Sequence, residues 1–201
     1  MVASLGGVAR ADGPLARAHW EAGLAVNGGP WDSAYQAGAL DGPAVGAQLT
    51  FGRTFGALRV AAEYEIASVG QSVFNDPDSF DAIDPVRGQL HRLGLAVRGR
   101  AMHAQDTGAI GGYLEGGVGR ETVLWHGGGR LDRMDVSAGA GIEMLLGQAH
   151  VGGFDLGVQL RAAEAPPAKS AVTCTGPCTT ATRDQTRDLS VMLHLGFVYG
   201  F

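Results

Sequence analysis

The chain has 201 residues, a formal net charge of -5 and 45% hydrophobic residues, which suits one domain of modest size. No stretch approaches the roughly 18 uninterrupted apolar residues of a spanning helix. Lys169 is the only lysine, and no basic patch interleaved with aromatics is present, so nucleic acid is not an expected partner.

Residues 1–16 read as a leader or disordered segment. Ala9-Arg10-Ala11 fits the small-x-small pattern of a signal-peptidase site, whereas Met1 to Val8 is short and weakly apolar for an h-region. A signal-peptide remnant and a plain disordered leader both stay open. From 17 to 201 the dominant signal is period two, which places alternate residues on opposite faces of a strand. Weak alternation runs through Trp20, Ala22, Leu24 and Val26, then through Val45, Ala47, Leu49 and Phe51. Leu58, Val60, Ala62, Tyr64 and Ile66 form the next apolar row, followed by Leu93, Leu95, Val97 and Gly99. Ile110, Leu114 and Val118 are sparse, whereas Met134, Val136, Ala138, Ala140, Ile142 and Met144 are regular. Phe154, Leu156, Val158, Leu160 and Ala162 precede the strongest segment, in which Leu189, Val191, Leu193, Leu195, Phe197, Tyr199 and Phe201 share one face. These segments predict eight strands.

Three predicted connections are tight and glycine-bearing: Gly52–Gly56, His103–Gly108 and Gly147–Gly153. The others are long: Gly28–Gly42, Gly70–Arg87, about Glu121–Arg133, and Ala163–Arg187. Trimmed turns at one end and elaborated loops at the other are the habit of outer-membrane barrels, with short periplasmic turns and longer extracellular loops. An even strand number puts both termini at the trimmed end.

Alternation alone does not say which face is inside, since a soluble ligand-binding barrel has the same period. Three features favour the inverted arrangement. Glycine, at 33 residues against a usual share of about 7%, crowds the polar face, as at Gly94, Gly119, Gly139 and Gly157, where a narrow lumen has little room. That face also carries both signs of charge: Glu21, Glu63, Glu65, Glu115, Asp135, Glu143, Asp155 and Asp188 against Arg59, Arg92, Arg98, Arg100 and Arg161. Finally, the last strand ends on Phe201, an aromatic on the apolar face.

Leu195-Gly-Phe-Val-Tyr-Gly-Phe201 resembles the terminal β-signal read by the outer-membrane assembly machinery, in which Leu195, Phe197, Tyr199 and Phe201 would be the recognised side chains. From Trp20 to Phe201 the layout is similar to the OmpA-type and OmpX-type barrels. The resemblance implies an all-β, eight-stranded antiparallel up-and-down transmembrane barrel in a bacterial outer membrane, with both termini periplasmic.

The inward charges are the first candidates for a role. Buried charges must be paired, so the expectation is a salt-bridged lumen that holds the barrel shut. Ser190, His194 and Glu143 sketch a hydrolase triad, but strand residues four apart are about 13 Å apart, too far for a Ser–His hydrogen bond. No catalytic residue is therefore expected. Asn75-Asp-Pro-Asp-Ser-Phe-Asp81 and Asp84 cluster carboxylates without EF-hand spacing, and are read as a solvated loop, with a hard-cation site such as one for Ca2+ as the alternative. Neither a metal nor a cofactor is expected. Cys174 and Cys178 form a poor zinc site; a disulfide across a loop tip is favoured over free thiols or an adventitious metal. Trp20, Trp31, Tyr35, Tyr64, Trp125, Phe154, Tyr199 and Phe201 suit aromatic girdles.

The expected function is that of a closed, charge-filled structural or surface-interaction barrel, with outer-membrane lipid, lipopolysaccharide and the assembly machinery as partners. A subunit role in a larger outer-membrane complex belongs to the same reading. The alternatives are a narrow conduit for small solutes and a lipid A-modifying enzyme.

Overall fold

The computed structural model describes residues 19–31, 39–40, 42–74, 82–105, 108–126, 130–146, 152–164 and 187–201. Period-two sequence becomes strand throughout these residues: β1 (His19–Trp31), β2 (Ala39–Leu40), β3 (Gly42–Phe55), β4 (Leu58–Phe74), β5 (Ala82–Gln105), β6 (Gly108–Trp125), β7 (Arg130–Leu146), β8 (Gly152–Glu164) and β9 (Arg187–Gly200). The two-residue β2 pairs only with the end of β4, Ala39 opposite Val73 and Leu40 opposite Ser72. The other eight pair antiparallel, each with its neighbour in the chain, and β1 closes the ring on β9. Closure pairs both edges of each of these eight strands, the requirement for a sheet placed in lipid, where no water can bond an open edge.

The closing seam is held at its end by a reciprocal backbone pair. Trp20 N–H donates to Phe201 C=O at 3.1 Å, and Phe201 N–H to Trp20 C=O at 2.9 Å. The start of β1 and the end of β9 therefore share one rim. At that same rim β3 and β4 meet in a two-residue hairpin, Phe55 opposite Leu58. Gly56 takes φ 61° there, a left-handed conformation that glycine adopts without steric cost at the first central position of such a turn.

Side chains alternate across the wall with inverted polarity. Leu156, Leu193 and Phe197 are 51%, 57% and 43% exposed on the outer face, whereas Arg98 and Glu143 are 5% and 1% exposed inside. Exposed aliphatic residues cover the outside of every barrel strand, an apolar surface far larger than a soluble monomer presents. Such a wall has acyl chains as its solvent.

Two expectations need correction. The segment Glu121–Arg133 is not a long loop: β6 runs to Trp125 and β7 begins at Arg130, with Glu121 opposite Arg133 in register. Glu121 and Arg133 are inward strand positions and Arg130 and Asp132 outward ones, a run of polar residues that resembles a loop. Trp31 and Trp125 do not join a girdle. They point into the barrel, 1% and 6% exposed, with ring centroids 6.1 Å apart. At the rim of the termini aromatic side chains do gather, on β8, β9, β1 and β3. Trp20 stacks on Phe51 at 5.1 Å, Phe51 meets Phe201 at 6.4 Å, and Phe154 meets Phe197 edge-on at 5.3 Å. Arg53 lies over the Trp20 and Phe55 rings at 5.6 and 5.2 Å.

A lipid-facing wall makes a depth-dependent prediction. Leu195→Arg, in the middle of β9, should cost about 2–4 kcal/mol of folding stability in phosphatidylcholine vesicles, and Leu189→Arg, nearer the far rim, about 0–1 kcal/mol. Guanidinium unfolding curves measure both; equal costs would contradict the lipid-facing assignment.

Candidate functional site

The lumen is built where inward positions of all eight barrel strands converge. All thirteen charged residues read from the sequence as inward are buried there, and Glu121 and Arg133 join them, each paired within the lumen. Six arginines (59, 92, 98, 100, 133 and 161) thus face nine carboxylates. Isolated ions would be prohibitively costly in this space, so geometry has to compensate each one.

Nearest the termini, the Arg100 fork donates to both oxygens of Glu21 at 2.7 Å each and to Glu143 Oε1 at 3.1 Å. Arg59 donates to Thr50 Oγ1 at 2.7 Å. Its Nε also lies 3.0 Å from Glu21 Oε2, a charge contact without aligned hydrogen-bond geometry. In the next layer Arg98 donates to Glu115 at 2.8 Å and to Asp155 at 3.1 Å, with its guanidinium 3.9 Å above the Tyr113 ring. His194 Nε2 is 2.6 Å from the Tyr113 hydroxyl and 3.0 Å from Asp155 Oδ2. One imidazole nitrogen carries one proton, so Nε2 either donates it or accepts one from the phenol.

Further from the termini are three more arginine centres. Arg92 donates from Nε and Nη2 to Asp135 at 3.0 and 2.8 Å and from Nη1 to Glu63 at 2.9 Å. Arg161 bonds Gln159 at 2.6 Å and also Glu65. Arg133 links Glu121 at 2.7 Å to Asp188 at 2.6 Å, and lies 5.3 Å from the centre of the Trp31 ring. Forked guanidinium geometry suits these multiple carboxylate contacts.

Glycine supplies the room. A Cβ at Gly119 would come within 2.7 Å of both Arg92 Nη2 and Asp135 Oδ2, and one at Gly196 would strike Asp155. Small residues thus stand where the large ionic side chains cross the axis. The small space left among Gln48, Thr50, Arg59, Arg98, Asp155 and His194 has room for about one water molecule at most. Around and beyond the Arg133 ion pairs, toward the rim opposite the termini, sits an inward apolar cluster: Trp31, Ala44, Ala67, Val69, Leu90, Val123, Trp125, Leu131 and Met192. Sequence reasoning missed this cap, although Leu90, Val123 and Leu131 keep the same inward phase as Arg92, Glu121 and Arg133.

His194 of the sketched triad is engaged by Tyr113 and Asp155, while Glu143 is held by Arg100. No cluster of three metal-ligating side chains occurs among the described residues. Residues 75–81 of the acidic loop, and both Cys174 and Cys178, lie outside the described residues. Leu195, Phe197, Tyr199 and Phe201 form one exposed outward row.

No family model matches the chain, and no curated protein matches it. The chain is similar to solved structures. Neisserial surface protein A (NspA) is 13% identical with a TM-score of 0.51, covering 92% of this chain and 97% of that one. OprG from Pseudomonas aeruginosa is 15% identical with a TM-score of 0.49, covering 92% and 96%. Ail, the attachment invasion locus protein of Yersinia pestis, in complex with sucrose octasulfate, is 14% identical with a TM-score of 0.40, covering 92% and 97%. The fold is that of an eight-stranded outer-membrane barrel.

Compensation in the lumen is directly testable. Arg92→Met leaves Glu63 and Asp135 without their shared cation and should cost about 3–5 kcal/mol in equilibrium unfolding. Adding Glu63→Gln and Asp135→Asn to the same chain should recover most of that loss. A single substitution without effect would refute the ion-pair account.

Proposed function

We propose that this chain is an integral outer-membrane barrel with a permanently closed lumen, serving as a structural or surface-interaction protein rather than as a pore or an enzyme. The observation that carries the reading is the double obstruction of the axis. Interlocked ion pairs fill the barrel, and toward the far rim the Trp31–Trp125 cluster packs around the outermost of them. An eight-stranded ring has an interior just wide enough for side chains to fill, which leaves solutes no path.

In the proposed orientation both termini face the periplasm, and the rim bearing Trp31, Trp125 and Leu131 faces outward. Outer-membrane lipid and lipopolysaccharide surround the wall. The outward row Leu195, Phe197, Tyr199 and Phe201 serves as the signal by which the assembly machinery takes up the last strand. The apolar exterior could also seat a larger barrel or a lipoprotein, which would make this chain an accessory subunit.

Planar-bilayer recording tests the closed lumen: the purified protein should give no resolved conductance steps, and regular steps would favour the conduit instead. Mass spectra of lipid A from cells with and without the protein should be identical. An altered acyl pattern would assign it an enzymatic role. Gentle detergent extraction should co-purify a second outer-membrane component if the subunit role holds.

A further inference from the structure

The lipid-facing wall is not uniformly apolar. At the rim opposite the termini, β5, β6 and β7 turn Arg87, His91, Arg120, Thr122, Arg130 and Asp132 outward. At the same rim the described outward positions on the other strands include Gly28, Val45, Ser68, Ala162, Leu189 and the acidic Glu164, so the described basic side chains sit on one side of the barrel.

Asp132 organises this patch. It accepts from Thr122 Oγ1 at 2.6 Å and from Arg130 Nε and Nη2 at 2.6 and 3.1 Å, and lies 3.7 Å from Arg120 Nη2. His91 shares the register row of Thr122 and Asp132, with Tyr64 Oη 2.9 Å from its Nδ1. One carboxylate faces two guanidiniums whose side chains are 63% and 60% exposed. The patch is net positive. A guanidinium has five donors, and Arg130 spends two of them on Asp132, leaving others toward the surroundings.

Height decides what those donors meet. On β6 the outward side chains below Arg120 are Ile110, Gly112, Leu114, Gly116 and Val118. Ten residues of strand rise about 34 Å, or roughly 25 Å at the tilt of such barrels, the height of the apolar band. Arg120 thus stands at the upper edge of the hydrocarbon, with Thr122, Asp132 and Arg130 just beyond it.

We propose that this face binds the phosphate-bearing headgroup of an outer-leaflet glycolipid of the lipid A type. Arg120 and Arg130 would grip one phosphate in forked fashion, with Asp132 holding both side chains in place. Acyl chains would lie along Leu114, Val118, Met134 and Val136. The inference rests on the proposed orientation, with this rim outward.

The test titrates the folded protein in neutral detergent with diphosphorylated lipid A, counting bound lipid by native mass spectrometry. The natural chain should bind diphosphorylated lipid A at least about tenfold more tightly than its dephosphorylated form. The double variant R120Q/R130Q should lose that preference while keeping the gel-mobility shift of a folded barrel. Excess inorganic phosphate should not displace the lipid, and binding should persist in EDTA. Equal binding of both lipids by the natural chain overturns the proposal, whatever the variant does. Displacement by phosphate would make it a site for a free anion, and loss in EDTA a metal bridge; each also overturns it. Orientation is tested separately by maleimide labelling of His126→Cys on intact cells, in a C174S/C178S background. A chain that fails this labelling yet binds lipid A refutes the orientation, not the patch.

Discussion

Burying arginine without water is the constraint on which this barrel depends. Eight strands enclose too little space to hydrate six guanidiniums, so each is met by carboxylates fixed on other strands: Arg92 by Glu63 and Asp135, Arg100 by Glu21 and Glu143, Arg133 by Glu121 and Asp188. Because the partners come from different strands, the ionic contacts also set how far the wall can breathe. Breaking one would leave a charge unpaired in a medium that cannot screen it. Glycine on the inward face follows from the same constraint, since Gly119 and Gly196 occupy points that a methyl group would deny to an ion pair.

The outer face is governed by the opposite requirement. Lipid accepts Leu, Val and Phe anywhere along a strand but tolerates charge only near the interfaces. Arg53, lying over Trp20 and Phe55, belongs to the rim of the termini, and Arg120 and Arg130 belong to the other. Between these levels the described outward positions on β1, β3, β8 and β9 are apolar. Two kinds of rim result among the described residues: aromatic on β8, β9, β1 and β3 at the terminal end, and basic on β5–β7 at the other.

Much of this was legible because period two is a local signal. From Leu189 to Phe201 the alternation is unbroken, so face and phase followed from the sequence alone, and with them the inward direction of Arg92, Glu143 and Asp155. Which carboxylate meets which arginine was not legible: Arg92 and Asp135 are 43 residues apart and Arg161 and Glu65 are 96 apart, and only barrel closure brings them together. Glu121 and Arg133 were misread because charges beside Gly127-Gly-Gly129 look like loop, although the phase of Val123 and Leu131 continues through them. The Trp31–Trp125 cap was missed for a related reason. Aromatic residues at strand ends suit an interfacial girdle, and only the phase relative to Asn27 and Glu121 turns them inward.

Depth-resolved spin labelling asks the membrane question most directly. Nitroxides placed singly at positions 193 and 159 in the reconstituted barrel should behave oppositely to a lipid-soluble relaxant. The label at 193 should relax strongly with oxygen and little with a water-soluble nickel chelate, while the label at 159 stays shielded from both. A label at 193 buried from oxygen, together with one at 159 open to the chelate, would turn the wall inside out and contradict the inverted barrel.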